Sequence, residues 1–176
     1  MSGPFASDLL TGRTALVTGG GTGLGLAIAE GLSAAGADVV IAARQRERLE
    51  AAAEQLRSRT GGSVAVDVVD IRNRETIEAL AGRHQIDILV NNAGGQFPQK
   101  ARDYSPNGWG SVIDLNLTGT WAMTQVFGNQ MLAADGGAIV QIVAIVGRGI
   151  PGIAHSAAAR AGVVELTRTL AFEWGP

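Results

Sequence analysis

The sequence predicts a doubly wound α/β fold, a parallel sheet covered by helices on both faces. Strand-like and helix-like segments alternate along the chain, which is the pattern of repeated strand–helix–strand units. The strand segments are continuous apolar runs rather than alternating ones, as burial on both faces requires. The loops of unusual composition all fall after strands, at the end of such a sheet where ligands bind.

The elements follow in order. Thr14–Thr18 (TALVT) is a short apolar run ending in a glycine cluster, and Leu24–Ala34 then has helical spacing. Asp38–Ala43 (DVVIAA) is a second strand, and Glu47–Arg59 is rich in strong helix formers. Val64–Ile71 reads as a third strand and Arg74–Gly82 as a short helix. Ile86–Val90 is a fourth strand, ending at Asn91-Asn92-Ala93-Gly94. After a loop containing Pro98 and Pro106, Trp109–Ala134 reads as one long helix. Ala138–Ile145 is a fifth strand, Gly147–Gly152 a loop, and His155–Trp174 a last helix.

With 176 residues the chain has enough material for one domain, 1–176, with a substantial core. A net charge of −2 gives no general attraction to nucleic acid or to anionic membranes. No apolar run approaches the roughly 18 residues of a membrane span, and Met1–Leu10 lacks the pattern of a secretory leader. The absence of cysteine excludes disulfides, Cys-ligated zinc and a thiol nucleophile, and fits a reducing cytoplasm. No metal site is expected.

The 25 glycines concentrate where chemistry is expected. Thr18-Gly19-Gly20-Gly21-Thr22-Gly23-Leu24-Gly25 lies between a strand and a helix. Glycine lets the backbone approach a pyrophosphate closely, and the helix N-terminus adds free N–H groups and partial positive charge. That context predicts a dinucleotide site built on Thr18, Gly19, Gly21, Thr22, Gly23, Leu24 and Gly25. An acidic residue ending the second strand would select NAD; here Ala43 is followed by Arg44, whose planar fork suits a 2′-phosphate, so NADP(H) is the expected cofactor.

The spacing Thr-Gly-x-x-x-Gly-x-Gly, on Thr18, Gly19, Gly23 and Gly25, resembles that of the short-chain dehydrogenase/reductase family, whose Rossmann fold the strand order implies. Asn91-Asn92-Ala93-Gly94 and Asp114-Leu115-Asn116 match two further motifs, and the resemblance runs from Leu9 to Trp174. It implies cofactor contacts from Asn92, Ala93 and Gly94, an active-site role for Asn116, and adenine contacts from Asp70 and Ile71, with Asp67 as a rival to Asp70. It also implies a homotetramer with the last two long helices at its interfaces. Family members continue with two more strands and a substrate loop, so the C-terminal strands are absent from the chain as given and strand five is expected to be an exposed apolar edge.

The family's catalytic Ser, Tyr and Lys are not present. The Lys position holds Arg160, the Tyr position Ser156, and the Ser position Ala144 or Val143. Reduction of a ketone generates an alkoxide that needs a proton donor, and neither a serine nor an arginine is a good acid near neutrality. Reduction of an enoyl thioester generates an enolate, whose oxygen needs only hydrogen-bond donors and positive charge. The run His155-Ser156 with Ala159-Arg160-Ala161-Gly162-Val163 resembles the peroxisomal trans-2-enoyl-CoA reductases. The related 2,4-dienoyl-CoA reductases keep Lys at the Arg160 position and use an upstream Tyr, near which this chain has Ile145.

The expected catalytic set is therefore Asn116, Ser156 and Arg160, with Arg160 also on the cofactor ribose and an acyl-CoA-like thioester as substrate. For Ser156 the plainer alternative is a helix cap, and for Arg160 a surface charge. Tyr104, the single tyrosine, and His155 are secondary proton-donor candidates, while His84 reads as a helix-end cation and Lys100 and Arg102 as loop charges. Trp109, Trp121, Met123 and Phe127 read as core or subunit-contact residues. Two alternatives remain: an NADP-dependent carbonyl reductase with a nonstandard acid, and a dinucleotide-binding module without catalysis.

Overall fold

The computed structural model describes residues 6–134, 136–144 and 149–175. Five strands form one parallel sheet in the order β3-β2-β1-β4-β5: β1 (Thr14–Thr18), β2 (Asp38–Ala43), β3 (Val64–Val68), β4 (Ile88–Asn91) and β5 (Ala138–Gln141). The chain grows outward from β1 through β2 to β3, then returns to the other side of β1. The switch point between β1 and β4 therefore opens a crevice at the carboxyl ends of the strands.

The sheet is buried on both faces. Ala15, Val17, Val39 and Ile41 point to the face covered by α1 (Gly23–Ala34) and α2 (Arg46–Thr60), where Ala29, Leu49, Ala52, Ala53 and Leu56 meet them. Their neighbours Leu16, Val40, Ala42 and Leu89 point the other way, against Ile77 and Leu80 of α3 (Arg74–Ala81) and Met123, Phe127 and Met131 of α5 (Gly119–Leu132). Period-two alternation of side chains thus feeds two cores, which is why the strands carry unbroken apolar runs. Met123 and Phe127 are core residues, as expected, and Trp109 is part exposed.

Four elements differ from the sequence expectation by more than one residue at an end. Strand β3 stops at Val68, not Ile71, because Asp70 turns the chain: its Oδ1 accepts the Arg72 backbone N–H at 3.0 Å, an Asx turn. Strand β4 is Ile88–Asn91, starting two residues later and ending one later than expected. Strand β5 ends at Gln141, and the Ile142 carbonyl is taken instead by Arg160; Ile145, the expected end, lies outside the described residues. The expected long helix starts earlier, at Pro106, where Ser105 Oγ accepts the Gly108 N–H at 3.0 Å as an N-cap. It is also not uniform. α4 (Pro106–Ile113) passes through a π turn (Asp114–Thr118) into α5, and Asn116 sits in that turn. A short 3₁₀ turn, Ala101–Asp103, precedes α4.

The last helix, α6 (Ala154–Trp174), packs against α4, the π turn and β5. Among the five strands β5 is an edge, with Val140 47% exposed. Among the described residues no helix is long and apolar enough to cross a membrane.

Candidate active site

The glycine loop is tied to β4 by two residues of the expected cofactor set. Thr18 Oγ1 donates to the Val90 carbonyl (3.3 Å) and accepts the backbone N–H groups of Asn92 and Ala93 (3.0 Å each). Asn92 Nδ2 donates to the carbonyls of Thr18 (2.9 Å) and Gly19 (3.4 Å). Both side chains are therefore engaged in stitching the two loops together, and they shape the crevice rather than line it.

Three glycines are required by this geometry. Gly19 and Gly23 have positive φ, 68° and 55°. A Cβ on Gly25 would collide with the Gly19 carbonyl and Asn92 Nδ2. Above them Thr22, Gly23 and Leu24 are exposed, and Thr22, at the N-cap of α1, makes no side-chain cap. The first N–H groups of α1 are thus left for an anion, so these residues fit a bound pyrophosphate.

Beside this loop lies a cavity of about 160 Å³ at the carboxyl ends of the strands. It brings together Gly19, Arg44, Asp70, Ile71, Ala93 and Gly94 from the expected set, with walls from Ala42, Ala43, Val69 and Leu115, which are not among the expected cofactor residues. Asp70, not Asp67, faces this cavity. Asp67 is bound elsewhere, by Arg83 (2.9 and 2.8 Å) and by His84 Nε2 (3.0 Å). His84 is accordingly the partner of a carboxylate rather than a free helix-end charge. A larger cavity of about 640 Å³ lies between α5, β5 and α6, away from the glycine loop.

Two of the three expected catalytic residues, Asn116 and Arg160, meet beside Gly94, which lines the cavity. Asn116 is fully buried; its Oδ1 accepts the Gly95 N–H (3.0 Å) and Arg160 Nη2–H (3.1 Å), and its Nδ2 donates to the Gly95 carbonyl (2.7 Å). The wide π turn aims this side chain at the loop after β4, and π turns recur at functional sites. Arg160 is 9% exposed and donates from Nη1 to the Ile142 carbonyl at 2.9 Å. It is no surface charge. Among the described residues it has no carboxylate partner, and burial lowers its pKa from the ordinary value, yet a guanidinium stays protonated near neutrality. Among the described residues the site thus holds one buried cation that is met by neutral oxygen acceptors and by no carboxylate.

Ser156 lies one turn before Arg160 on α6 and is buried. The helix begins at Ala154 after an Ile153 N-cap, so Ser156 is inside the first turn and is not the cap. Its backbone N–H donates to His155 Nδ1 at 2.7 Å. His155, fully buried, is packed between Phe97 (ring centroids 4.7 Å apart) and Tyr104 (4.5 Å). Tyr104 Oη donates to the Gly152 carbonyl (3.2 Å) and lies 3.5 Å from His155 Nδ1. Sequence spacing puts Tyr104 in the loop after the fourth strand and His155 at the start of the last helix; the fold stacks their rings together, next to the Ser156 backbone. The Gly95 and Ile142 backbone groups that hold Asn116 and Arg160 carry no side-chain signal a motif could show.

A parallel sheet with this switch point, a glycine loop at the mouth of α1 and a polar cluster on the neighbouring helices has the layout of a Rossmann-type dinucleotide-binding fold. The chain belongs to the short chain dehydrogenase family, which it matches over residues 13–176. It is 39% identical to the peroxisomal 2,4-dienoyl-CoA reductase of Danio rerio, over 98% of this chain and 59% of that protein. It therefore spans little more than half the length of that relative. Among solved structures, a citronellol catabolism dehydrogenase of Pseudomonas aeruginosa superposes with a TM-score of 0.91 at 39% identity, covering 99% of this chain and 74% of that one. A Beutenbergia cavernae structure with NADP bound at low occupancy superposes with a TM-score of 0.89 at 38% identity, covering 98% and 69%.

Proposed function

We propose that this chain carries the cofactor site and the polar floor of an NADP(H)-dependent oxidoreductase that reduces the C=C bond of an enoyl-CoA-like thioester. The observation that carries this reading is the buried Arg160 cation, hydrogen-bonded to Asn116 and one helical turn from Ser156. The dienoyl-CoA reductase name of the Danio rerio relative and the NADP in the Beutenbergia cavernae structure support it.

Bound NADPH would supply the hydride. The residues here would do the rest. Gly19, Gly23 and the first turn of α1 would hold the pyrophosphate, Asp70 and the Ile71 backbone the adenine, and Arg44 the 2′-phosphate. Hydride addition at the β-carbon moves charge onto the thioester oxygen. Arg160 would stabilise that charge with a cation already desolvated and fixed by two hydrogen bonds, so no reorganisation is required during the reaction. The Ser156 hydroxyl would add a donor, and Asn116 would hold Arg160 and the Gly95 loop in place. The α-carbon then takes its proton from water. The same reading keeps the enzyme in the cytoplasm as a homotetramer, for which the 92% exposed Phe172 and the exposed Leu132 supply apolar contact surface.

One observation favours a second reading, carbonyl reduction with a nonstandard acid. Tyr104, the single tyrosine, stands beside His155 and Ser156. The two readings part on two variants assayed for NADPH oxidation. Under enoyl reduction, Arg160→Ala lowers kcat by about two to three orders of magnitude while Tyr104→Phe stays within about threefold of wild type. Ketone turnover that is abolished by Tyr104→Phe would establish the second reading instead.

A further inference from the structure

Three charged side chains crowd the mouth of the smaller cavity. Asp70 and Arg72 form a two-pronged ion pair: Arg72 Nε–H donates to Oδ1 at 2.9 Å and Nη2–H to Oδ2 at 2.6 Å, while the Arg72 backbone N–H also reaches Oδ1 at 3.0 Å. Both carboxylate oxygens are therefore engaged. Arg44, at the end of β2, lines the same cavity as Asp70 and is exposed. Its positive charge is close enough to help lower the Asp70 pKa, although the Arg72 hydrogen bond is the leading cause. Among the described residues Arg44 nevertheless forms no ion pair.

We infer that Arg72 is a specificity-determining residue: by saturating Asp70 it keeps Arg44 unpaired and available to the 2′-phosphate of a bound adenosine. The inference rests on the NADP(H) reading above. A guanidinium fork fits a carboxylate as well as it fits a phosphate. Without Arg72, the carboxylate of Asp70, which lines the same cavity as Arg44, is free to pair with it. The unneutralised carboxylate also repels a dianionic phosphate placed beside it. Both effects act against a 2′-phosphate, and neither acts against an adenosine that lacks one. A residue that only supported the adenine pocket would affect the two nucleotides alike, and that difference separates a positioning role from a structural one.

The test is equilibrium binding to the full chain, without turnover. Kd values for NADPH and NADH come from fluorescence titration, and those for 2′,5′-ADP and 5′-AMP from calorimetry. The proteins are wild type, Arg44→Ala, Arg72→Ala and Arg72→Ala/Asp70→Asn. Arg72→Ala is expected to weaken NADPH and 2′,5′-ADP by about tenfold or more, with NADH and 5′-AMP within about twofold. The double variant removes the competing carboxylate charge and is expected to return the NADPH-to-NADH Kd ratio to within about threefold of wild type. Equal losses for both nucleotides in Arg72→Ala, or an unchanged ratio, overturn the inference while leaving the NADP(H) reading standing, provided that wild type prefers NADPH and Arg44→Ala abolishes the preference. A wild type that binds NADH as tightly as NADPH overturns both.

Discussion

Replacing Gly94 with alanine would drive a methyl group into the guanidinium of Arg160. A Cβ built on Gly94 overlaps Arg160 Nη2 and comes within 2.7 Å of Asn116 Oδ1. Gly94 is not at positive φ, so the backbone itself accepts alanine and the whole effect falls on the neighbours. Arg160 must shift, and its hydrogen bonds to Ile142 O (2.9 Å) and Asn116 Oδ1 (3.1 Å) are lost or stretched. Each charge-assisted bond is worth about 1.5–3 kcal/mol, and overpacking costs about 1–3 kcal/mol. The displaced cation regains some hydration, so the net expected loss is about 2 kcal/mol. For a chain of this size that is a fall in Tm of about 4–8 °C. The assay is thermal unfolding of a double-mutant cycle. In an Arg160→Ala background the clash with the guanidinium is gone and only the close approach to Asn116 Oδ1 remains, so Gly94→Ala should cost at least about 1 kcal/mol less there than in wild type. Equal costs in both backgrounds would show that Gly94 and Arg160 are not in contact, and the geometry of the crevice floor would be wrong.

Two further perturbations test the frame around the site. Thr18→Val removes the oxygen that accepts the Asn92 and Ala93 N–H groups; the Asn92 N–H keeps the Val90 carbonyl at 3.1 Å, while the Ala93 N–H loses the acceptor that Thr18 supplies. A loss of about 1–3 kcal/mol is expected in denaturant unfolding, and a variant as stable as wild type would show that the two loops are not joined through this hydroxyl. Asp67 has a pKa set by opposing causes: burial raises it, but the hydrogen bonds and charges of Arg83 and His84 outweigh burial, and it ends below the ordinary 3.8. A carboxyl whose pKa is depressed on folding contributes stability that is present above its unfolded pKa and is lost as the pH falls through the folded value. Acid unfolding below about pH 4 should therefore be less steep in Asp67→Asn than in wild type, and identical acid limbs would remove Asp67 from the account.

The fold was legible because its signals are local and repeated. The strand runs Thr14–Thr18 and Asp38–Ala43 have unbroken apolar stretches, Ala15–Val17 and Val39–Ala43, and the structure places the strands at those bounds. The cofactor crevice was legible because glycines at fixed offsets have few other uses between a strand and a helix. What escaped the sequence depends on side chains acting on distant backbone. The early end of β3 comes from the Asp70 side chain reaching Arg72, which no strand propensity encodes. The π turn around Asn116 adds one residue to a helical turn without breaking the helical pattern, so spacing alone reads it as uninterrupted. Thr18 and Asn92 were expected at the cofactor because their motifs are cofactor motifs, yet their polar atoms are engaged with each other's loops. The burial of Arg160 was the least legible feature. An arginine on an Ala-rich helix can also read as a solvated charge, and the partners that hold it inward, the Ile142 carbonyl left over at the end of β5 and Asn116 Oδ1, come from distant parts of the chain.

The most direct measurement is NADPH oxidation by the purified protein with a trans-2-enoyl-CoA, run beside a ketone of matched chain length. A cation held for an enolate oxygen, with no Tyr–Lys pair to protonate an alkoxide, predicts turnover of the enoyl thioester and a rate on the ketone lower by at least about two orders of magnitude. Ketone reduction at a comparable rate, or tight NADPH binding with no oxidation by either substrate, would contradict the assignment of Arg160 and Ser156 to carbon–carbon double bond reduction.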